Sequence, residues 1–161
     1  SGLSDNSKLF WLEHRKVFKE FYRVLKPGGC LIINSCSHKQ LKQGFWYYHL
    51  IPKALKTILE KTIDLSALLE ILKSEGFSNI NQKIPFNLTL QGKKYFNKNG
   101  ILEQKWRSGD SIWSLVSEDT LSKIISKIYE LKETKSLESL IKEYDKNRLS
   151  CGQITFTFAR K

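Results

Sequence analysis

The stretch that most constrains the fold is a connection of only four residues between a predicted helix and a predicted strand. Within the first 25 residues, apolar side chains recur every three to four positions, which predicts a helix. The residues KPGG at 26–29 end this helix, because proline cannot continue the hydrogen-bond ladder and glycine tolerates a positive φ. The sequence CLIINSC at 30–36 then predicts a strand covered on both faces, as in a parallel sheet. A helix, a tight turn and a buried strand predict an α/β fold.

The rest of the chain alternates predicted helices with weaker strands. A helical region at 39–61, which Pro52 interrupts, is followed by a helix at 64–76 with Asp64 as its cap. An edge strand is predicted at 77–85, two helices at 117–152 and a final strand at 153–160. Between the edge strand and the last helices, residues 86–116 contain three glycines and show no regular period. An irregular connection of this length is usually functional.

The composition is that of one folded domain spanning residues 1–161. Hydrophobic residues make up 40% and aromatic residues 12% of the chain, too many for a disordered protein. No uncharged stretch exceeds about a dozen residues and no secretory signal is present, so we expect a cytoplasmic protein without a membrane span. The three cysteines form no C-x-x-C pair, which argues against a disulfide framework and against a metal site.

The chain is strongly basic, with 27 lysines and arginines against 16 acidic residues and a net charge of +11. A basic field with exposed aromatic side chains would suit a nucleic-acid-binding module. The charge is spread along the whole chain, however, and no nucleic-acid-binding motif accompanies it, so nucleic acid is not the expected partner. A nucleic-acid-binding or non-catalytic dimerisation module stays the alternative to an enzyme.

The residues RVLKPGG at 23–29, followed by the strand, resemble the class I S-adenosylmethionine-dependent methyltransferases. The likeness is to the small-molecule, type 11-like group of these transferases, which is related to quinone and arsenite methyltransferases. It implies that residues 30–36 are the fifth strand of a Rossmann-like sheet and that residues 77–85 are the sixth. The final strand at 153–160 would run antiparallel between them, in the order five, seven, six. The implied function is transfer of a methyl group to a small molecule.

The chain lacks the part of this family that binds the cofactor. The resemblance implies a glycine-rich loop after the first strand and an acidic residue after the second, because backbone N–H groups must approach the ligand and a carboxylate must accept from the ribose. The nine glycines never form G-x-G, and one predicted helix precedes the KPGG turn. We therefore expect the C-terminal half of a methyltransferase, which by itself is inactive and binds S-adenosylmethionine poorly.

The missing half would leave the strand at 30–36 with a bare edge. An unpaired strand edge offers N–H and C=O groups to any second chain. The predicted partners are therefore a small-molecule substrate and, through this strand, a second copy of the chain.

The candidate substrate-binding residues fall in three places. Ligands of open α/β sheets bind at the carboxyl ends of strands, which points to Ser35 and to His38, a side chain that could assist deprotonation of a substrate hydroxyl. Capping of the next helix by Ser35 or Ser37 is the alternative. The second of these places is the aromatic run FWYY at 45–48. Within it, Trp46 and Tyr47 could line an apolar pocket or pack in the core.

The third place is a predicted substrate lid at residues 86–116, because insertions between the sixth and seventh strands often form the lid in the resembling family. Arg107 could clamp a carboxylate or a phosphate, with Trp106 and Trp113 on either side of it in the sequence. The alternative is that both tryptophans anchor the segment and that Arg107 pairs with Asp110.

Overall fold

The computed structural model describes the backbone of residues 5–161 and the side chains of residues 12–161. The chain divides into two compact units. The sheet unit consists of residues up to 35, 63–83 and 155–161, and the helical unit consists of residues 36–62 and 84–154. Each unit has its own hydrophobic core.

The described helices and strands follow the predicted order. The helices are α1 (Asp5–Val24), α2 (His38–Gln43), α3 (Pro52–Lys61), α4 (Leu65–Ser74), α5 (Gln104–Arg107), α6 (Glu118–Glu133), α7 (Leu137–Asp145) and α8 (Arg148–Cys151). The strands are β1 (Cys30–Ser35), β2 (Ser78–Lys83) and β3 (Thr155–Arg160). Short 3₁₀ turns lie at Trp46–Leu50, Gly92–Phe96, Gly100–Leu102 and Ser111–Leu115. None of the described helices is long and apolar enough to cross a membrane.

β3 is the central strand of the sheet and runs antiparallel to both of its neighbours. It pairs with β1 in continuous register, from Cys30 opposite Arg160 to the end of β1. Its pairing with β2 is interrupted by a bulge between Ser78 and Asn81. The last strand therefore lies between the other two, which is the order that the family resemblance implies for these three strands.

β1 is an edge strand with one face exposed. Leu31 and Ile33 pack against the core of the sheet unit, to which α1 and α4 contribute, whereas Ile32 is 58% exposed. The prediction that both faces of this strand are covered is therefore wrong. The described residues of the sheet unit form one core, and because side chains alternate along a strand, the other face of β1 meets solvent. Along its second edge β1 has no partner among the described strands, which is the bare edge expected from the sequence.

The predicted helical region at 39–61 consists of three pieces in the helical unit. α2 begins at a capping box, in which the Ser37 hydroxyl accepts from the backbone N–H of Gln40 and the Gln40 side chain accepts from the N–H of Ser37. A 3₁₀ turn follows, and Pro52 opens α3 at a position where its missing N–H costs little. The capping residue is thus Ser37 and not Ser35.

Residues 86–116 form a succession of short turns that belongs to the helical unit. Several of its apolar side chains are buried together with the aromatic run of residues 45–48, namely Tyr95, Ile101, Trp106, Ile112 and Trp113. Ser117 then accepts a hydrogen bond from the N–H of Thr120 and begins α6. The segment is irregular, as predicted, but its side chains are an integral part of the core of the helical unit.

Candidate functional site

Four of the seven predicted site residues meet in one aromatic cluster of the helical unit. Between ring centroids, Tyr47 lies 5.0 Å from Trp106 and 5.9 Å from Trp113, and Trp46 lies 6.4 Å from Trp106. The planes of Tyr47 and Trp113 are stacked, with 16° between them. Trp46 and Tyr47 are 1% and 0% exposed, so they support the cluster from inside the core.

Asp110 is the polar centre of the aromatic cluster. Its Oδ2 atom accepts from the Tyr47 hydroxyl at 2.7 Å and from the Tyr48 hydroxyl at 3.0 Å. Its Oδ1 atom accepts from the backbone N–H of Ile112 at 3.0 Å and so caps the following 3₁₀ turn. No ion pair of the described side chains, residues 12–161, includes this carboxylate. Two tyrosine hydroxyls and one backbone amide therefore satisfy a buried charge without a cation.

The sequence analysis missed the central role of Asp110. A local signal was available, because an aspartate that precedes a short turn often accepts from a backbone N–H two residues on, as Asp110 does from Ile112. The two tyrosines lie 63 and 62 residues from Asp110 along the chain. No spacing rule links positions so far apart, so these contacts had no signal in the sequence.

Burial keeps the two tyrosine hydroxyls that donate to Asp110, and the nearby thiol of Cys36, protonated. Burial and then the negative charge of Asp110 raise the pKa of the Tyr47 and Tyr48 hydroxyls far above its usual value. The same two causes raise the pKa of the Cys36 thiol from 9.0 to about 11. At neutral pH the three groups are therefore uncharged, and Cys36 is not a nucleophilic thiolate.

The raised pKa of Cys36 predicts that the free energy of unfolding falls as the pH rises from 9.0 to about 11. Over this interval an unfolded thiol has lost its proton while the folded Cys36 still holds it, so deprotonation favours the unfolded state. Below pH 9.0 this contribution to stability is fully present. Urea titrations across this pH range measure the slope, and Cys36→Ala should make it shallower. Burial also raises the pKa values of Tyr47, Tyr48, Tyr95 and Cys151, and these groups sustain the remaining slope. An unchanged slope in the variant would contradict the assignment to Cys36.

A pocket of about 380 Å³ opens beside the aromatic cluster, within the helical unit. It lies along α5, the turn after it and α6, and its lining includes Arg107, Asp110, Trp113 and Leu121. Nη1 of Arg107 donates to the backbone carbonyl of Ile101. The guanidinium takes part in none of the ion pairs of residues 12–161. The alternative pairing of Arg107 with Asp110 is not found among these ion pairs; Asp110 instead accepts from Tyr47, Tyr48 and the N–H of Ile112.

The two tryptophans of the predicted lid differ in their hydrogen bonds. The indole N–H of Trp106 donates to the backbone carbonyl of Lys94 at 2.7 Å, which matches the alternative that Trp106 anchors the segment. Trp113 is 9% exposed and lines the pocket, and its indole Nε1 is buried without a hydrogen-bond partner in the described part of the chain. Trp113 therefore lines the pocket with its ring, while its indole N–H is buried and has no acceptor in the described part of the chain.

The two remaining predicted residues lie outside the aromatic cluster. His38 is the first residue of α2, and its Nε2 atom lies 2.9 Å from the backbone carbonyl oxygen of Thr62. Ser35 ends β1 in the sheet unit, and its hydroxyl is buried without a hydrogen-bond partner among the described residues. The structure thus groups five of the predicted residues in the helical unit, at or behind one pocket: Trp46, Tyr47, Trp106, Arg107 and Trp113.

Two of the described glycines are required by close packing of the protein itself. A Cβ atom added at Gly100 would lie 2.4 Å from the Trp106 ring, and one at Gly44 would lie 2.5 Å from the carbonyl oxygen of Gly152. Glycines of a cofactor loop leave space that a ligand occupies, whereas the space beside Gly100 and Gly44 is occupied by atoms of the protein. Within the same described part of the chain, no three His, Cys, Asp or Glu side chains are grouped as a metal site would require.

Comparisons with known proteins establish the fold. No protein-family model matches the sequence, and no curated protein matches it either. One solved structure is similar: a "putative methyltransferase from antibiotic biosynthesis pathway" of Anabaena variabilis, with a TM-score of 0.68 and 16% sequence identity. The match covers 91% of this chain and 60% of that protein. This chain therefore has a methyltransferase-like α/β fold and spans 60% of the length of the protein that it resembles.

Proposed function

We propose that residues 1–161 are the C-terminal part of a cytoplasmic class I, type 11-like methyltransferase that moves a methyl group from S-adenosylmethionine to a small molecule. The observation that carries the proposal is the similarity to a solved methyltransferase-like structure over 91% of this chain but only 60% of the other. The RVLKPGG turn before β1 supports it independently, because it comes from the sequence alone. On this proposal β1, β3 and β2 are the fifth, seventh and sixth strands of a larger Rossmann-like sheet.

The surface of the sheet unit supports an incomplete sheet. One edge of β1 has no partner among the described strands. Ile32, a residue of the same strand, is 58% exposed. On α1, three apolar side chains at helical spacing are also exposed, by 48%, 39% and 57%: Val17, Phe21 and Val24. Apolar stripes of this kind are normally covered, so a further part of the protein is expected to pack here.

The residues of this chain do not fit S-adenosylmethionine. Its nine glycines never form G-x-G, so it lacks the glycine-rich loop whose backbone N–H groups would approach the cofactor. We therefore assign cofactor binding to the missing part of the protein and derive no chemical step through the cofactor here.

The helical unit is proposed to supply the substrate side of the enzyme, with residues 86–116 as the lid. Methyl transfer depends mainly on aligning the acceptor and excluding water, and these tasks need shape more than a dedicated base. Arg107 and Trp113 contact the substrate in this proposal, and Trp46, Tyr47 and Trp106 hold the pocket wall from behind. Ser35 and His38 remain proposed substrate contacts at the carboxyl end of β1.

Calorimetric titration with S-adenosylhomocysteine tests the proposed function. The product of the complete gene should bind this ligand one to one, because it would contain the glycine-rich loop. Residues 1–161 alone should show no binding, since the donor-binding loop is absent from them. Tight one-to-one binding by residues 1–161, or no binding by the complete product, would contradict the proposal.

We further propose that residues 1–161 self-associate through the bare edge of β1. Ile32→Lys places a charge beside this edge and should shift the chain towards monomer in sedimentation experiments. Leu149→Lys is the matched control, because Leu149 is 60% exposed and lies in the helical unit. A monomeric parent chain at high concentration, or equal behaviour of the two variants, would contradict this surface as the contact.

A further inference from the structure

We propose that the Arg107–Trp113 pocket binds a small molecule that carries one carboxylate on a flat, apolar body. The identification of this molecule as the methyl acceptor rests on the proposed function, whereas its binding rests on the pocket alone. The three features that carry the inference are an arginine without an acidic partner, a buried indole N–H without an acceptor, and a wall formed by a fixed aromatic ring.

Arg107 gives the pocket its positive charge. Hydrogen bonding of Nη1 to the carbonyl of Ile101 fixes the guanidinium, and no ion pair of residues 12–161 includes it. The one acidic side chain of the lining, Asp110, already accepts from two tyrosine hydroxyls and a backbone N–H. A planar guanidinium matches a carboxylate with two parallel hydrogen bonds. Arg107 is the one basic side chain of the lining, and the carboxylate of Asp110 also lies there, so the pocket offers no second positive charge for a phosphate dianion.

Trp113 supplies a donor that has no acceptor in the protein. A buried N–H group normally finds a partner, and this one has none in the described part of the chain, so a ligand that draws it towards the pocket breaks no hydrogen bond within that part. The stacking of Trp113 on Tyr47 holds the indole in one orientation, because Tyr47 is itself fixed by its hydrogen bond to Asp110. A carboxylate oxygen is a strong acceptor for this N–H.

The other lining groups fit the body of the ligand. Trp113 and Leu121 provide apolar surface on which a flat ring can pack. The hydroxyls of Ser108 and Ser114 donate to the carbonyls of Gln104 and Ser111, so they are turned towards the backbone, and Ser111 and the Gln104 amide are the other polar side chains of the lining apart from Arg107 and Asp110. A volume of about 380 Å³ lies at the small end of the range for ligand pockets and suits a molecule with one ring.

Benzoate, titrated into residues 1–161 and followed by NMR, tests the inference. The indole N–H signal of Trp113 should move and saturate at one benzoate per chain, and Trp113→Phe identifies that signal by its loss. The indole N–H of Trp106, which already donates to Lys94, should move little and serves as the internal reference. Benzamide, the neutral analogue, and phenyl phosphate, the dianionic one, should each bind at least about 10-fold more weakly than benzoate.

Arg107→Gln should weaken benzoate binding by about 10- to 100-fold, because it removes a charged hydrogen-bonding partner. Lys105→Gln removes the same charge from the same helix, α5, without touching the pocket lining, and should leave the affinity within about 2-fold. Arg107→Lys keeps the charge but loses the planar fork, so its affinity should fall between those of the parent and Arg107→Gln. It also serves as the second variant if Arg107→Gln does not fold.

The inference is overturned if benzoate does not bind, if phenyl phosphate binds more tightly, or if Arg107→Gln and Lys105→Gln have equal effects. Its failure is separable from failure of the proposed function. If residues 1–161 bind benzoate but the complete gene product does not bind S-adenosylhomocysteine, the inference about the pocket holds and the proposed methyltransferase function is contradicted. Binding of S-adenosylhomocysteine without benzoate binding would do the reverse.

Discussion

Asp110→Ala is expected to lower the free energy of unfolding by about 3–5 kcal/mol, the largest effect of any single substitution proposed for this chain. The carboxylate is buried and accepts from the Tyr47 hydroxyl, the Tyr48 hydroxyl and the Ile112 N–H. Alanine removes all three acceptor contacts at once and leaves the donors buried without partners. Each such donor costs about 1–3 kcal/mol, and relaxation of the cavity recovers part of the sum.

Urea denaturation of Asp110→Ala and a matched variant measures this effect. Asp119→Ala removes an aspartate of α6 whose side chain is 75% exposed and pairs with Lys123, so it should change the stability by no more than about 0.5 kcal/mol. Tyr47→Phe and Tyr48→Phe each remove one donor and keep the carboxylate, so each should cost less than Asp110→Ala. A loss below about 1 kcal/mol for Asp110→Ala would show that the buried network does not form.

Gly100→Ala is expected to destabilise the helical unit by about 2–3 kcal/mol through overpacking. A Cβ atom at Gly100 would lie 2.4 Å from the Trp106 ring, well inside van der Waals contact. Trp106 is 3% exposed, packs against Trp46 and Tyr47 and is held by its hydrogen bond to Lys94, so the ring cannot move away freely. The substitution must therefore shift packed aromatic rings or the backbone of the turn.

Two measurements separate this clash from the general effect of replacing a glycine. Gly92→Ala is the control, because a Cβ atom there meets nothing within 4 Å although φ is +57°. It should cost about 1 kcal/mol, the price of a left-handed conformation for alanine. In Gly100→Ala the indole N–H signal of Trp106 should also move, since its bond to Lys94 is disturbed. Equal stabilities of the two variants would contradict the overpacking explanation.

Both substitutions act on the support of the pocket rather than on its ligand contacts. Arg107 lies between Trp106, which is anchored to Lys94, and Asp110, which is tied to Tyr47 and Tyr48. A guanidinium held between two such fixed points keeps its direction, and binding a ligand then costs little ordering of the protein. The rigidity of the aromatic cluster is what makes an irregular segment usable as a binding surface.

Local rules predicted much of the fold. α1, the KPGG turn, the restart at Pro52 and the cap at Ser117 all depend on residues within one or two helical turns of one another. The alternation of residues 153–160 likewise predicted β3, and the resemblance of the RVLKPGG stretch predicted its place between β1 and β2. Ser37, one of two serines proposed as caps, could not be chosen over Ser35 until the capping box was seen.

Local sequence rules did not predict the exposure of one face of β1 or the roles of the residues in the candidate site. A run of apolar residues predicts a strand, but whether a second layer covers it depends on elements elsewhere in the chain, and in the described structure Ile32 faces solvent. The aromatic residues of the site were predicted by type, but their roles were not. Trp106 is an anchor and Trp113 a pocket wall because of contacts with Lys94 and Tyr47, neither of which a spacing rule connects to them.

The sequence by itself determined where helices and strands begin, because caps, prolines and hydrophobic periods act over a few residues whatever the rest of the chain does. Only the tertiary structure decided that Asp110 accepts from two tyrosines more than 60 residues away, and that no ion pair of residues 12–161 includes Arg107. The physical reason is that a buried carboxylate accepts hydrogen bonds from the donors that the fold brings closest to it. Those distances depend on packing between segments far apart in the chain, which local sequence rules do not describe.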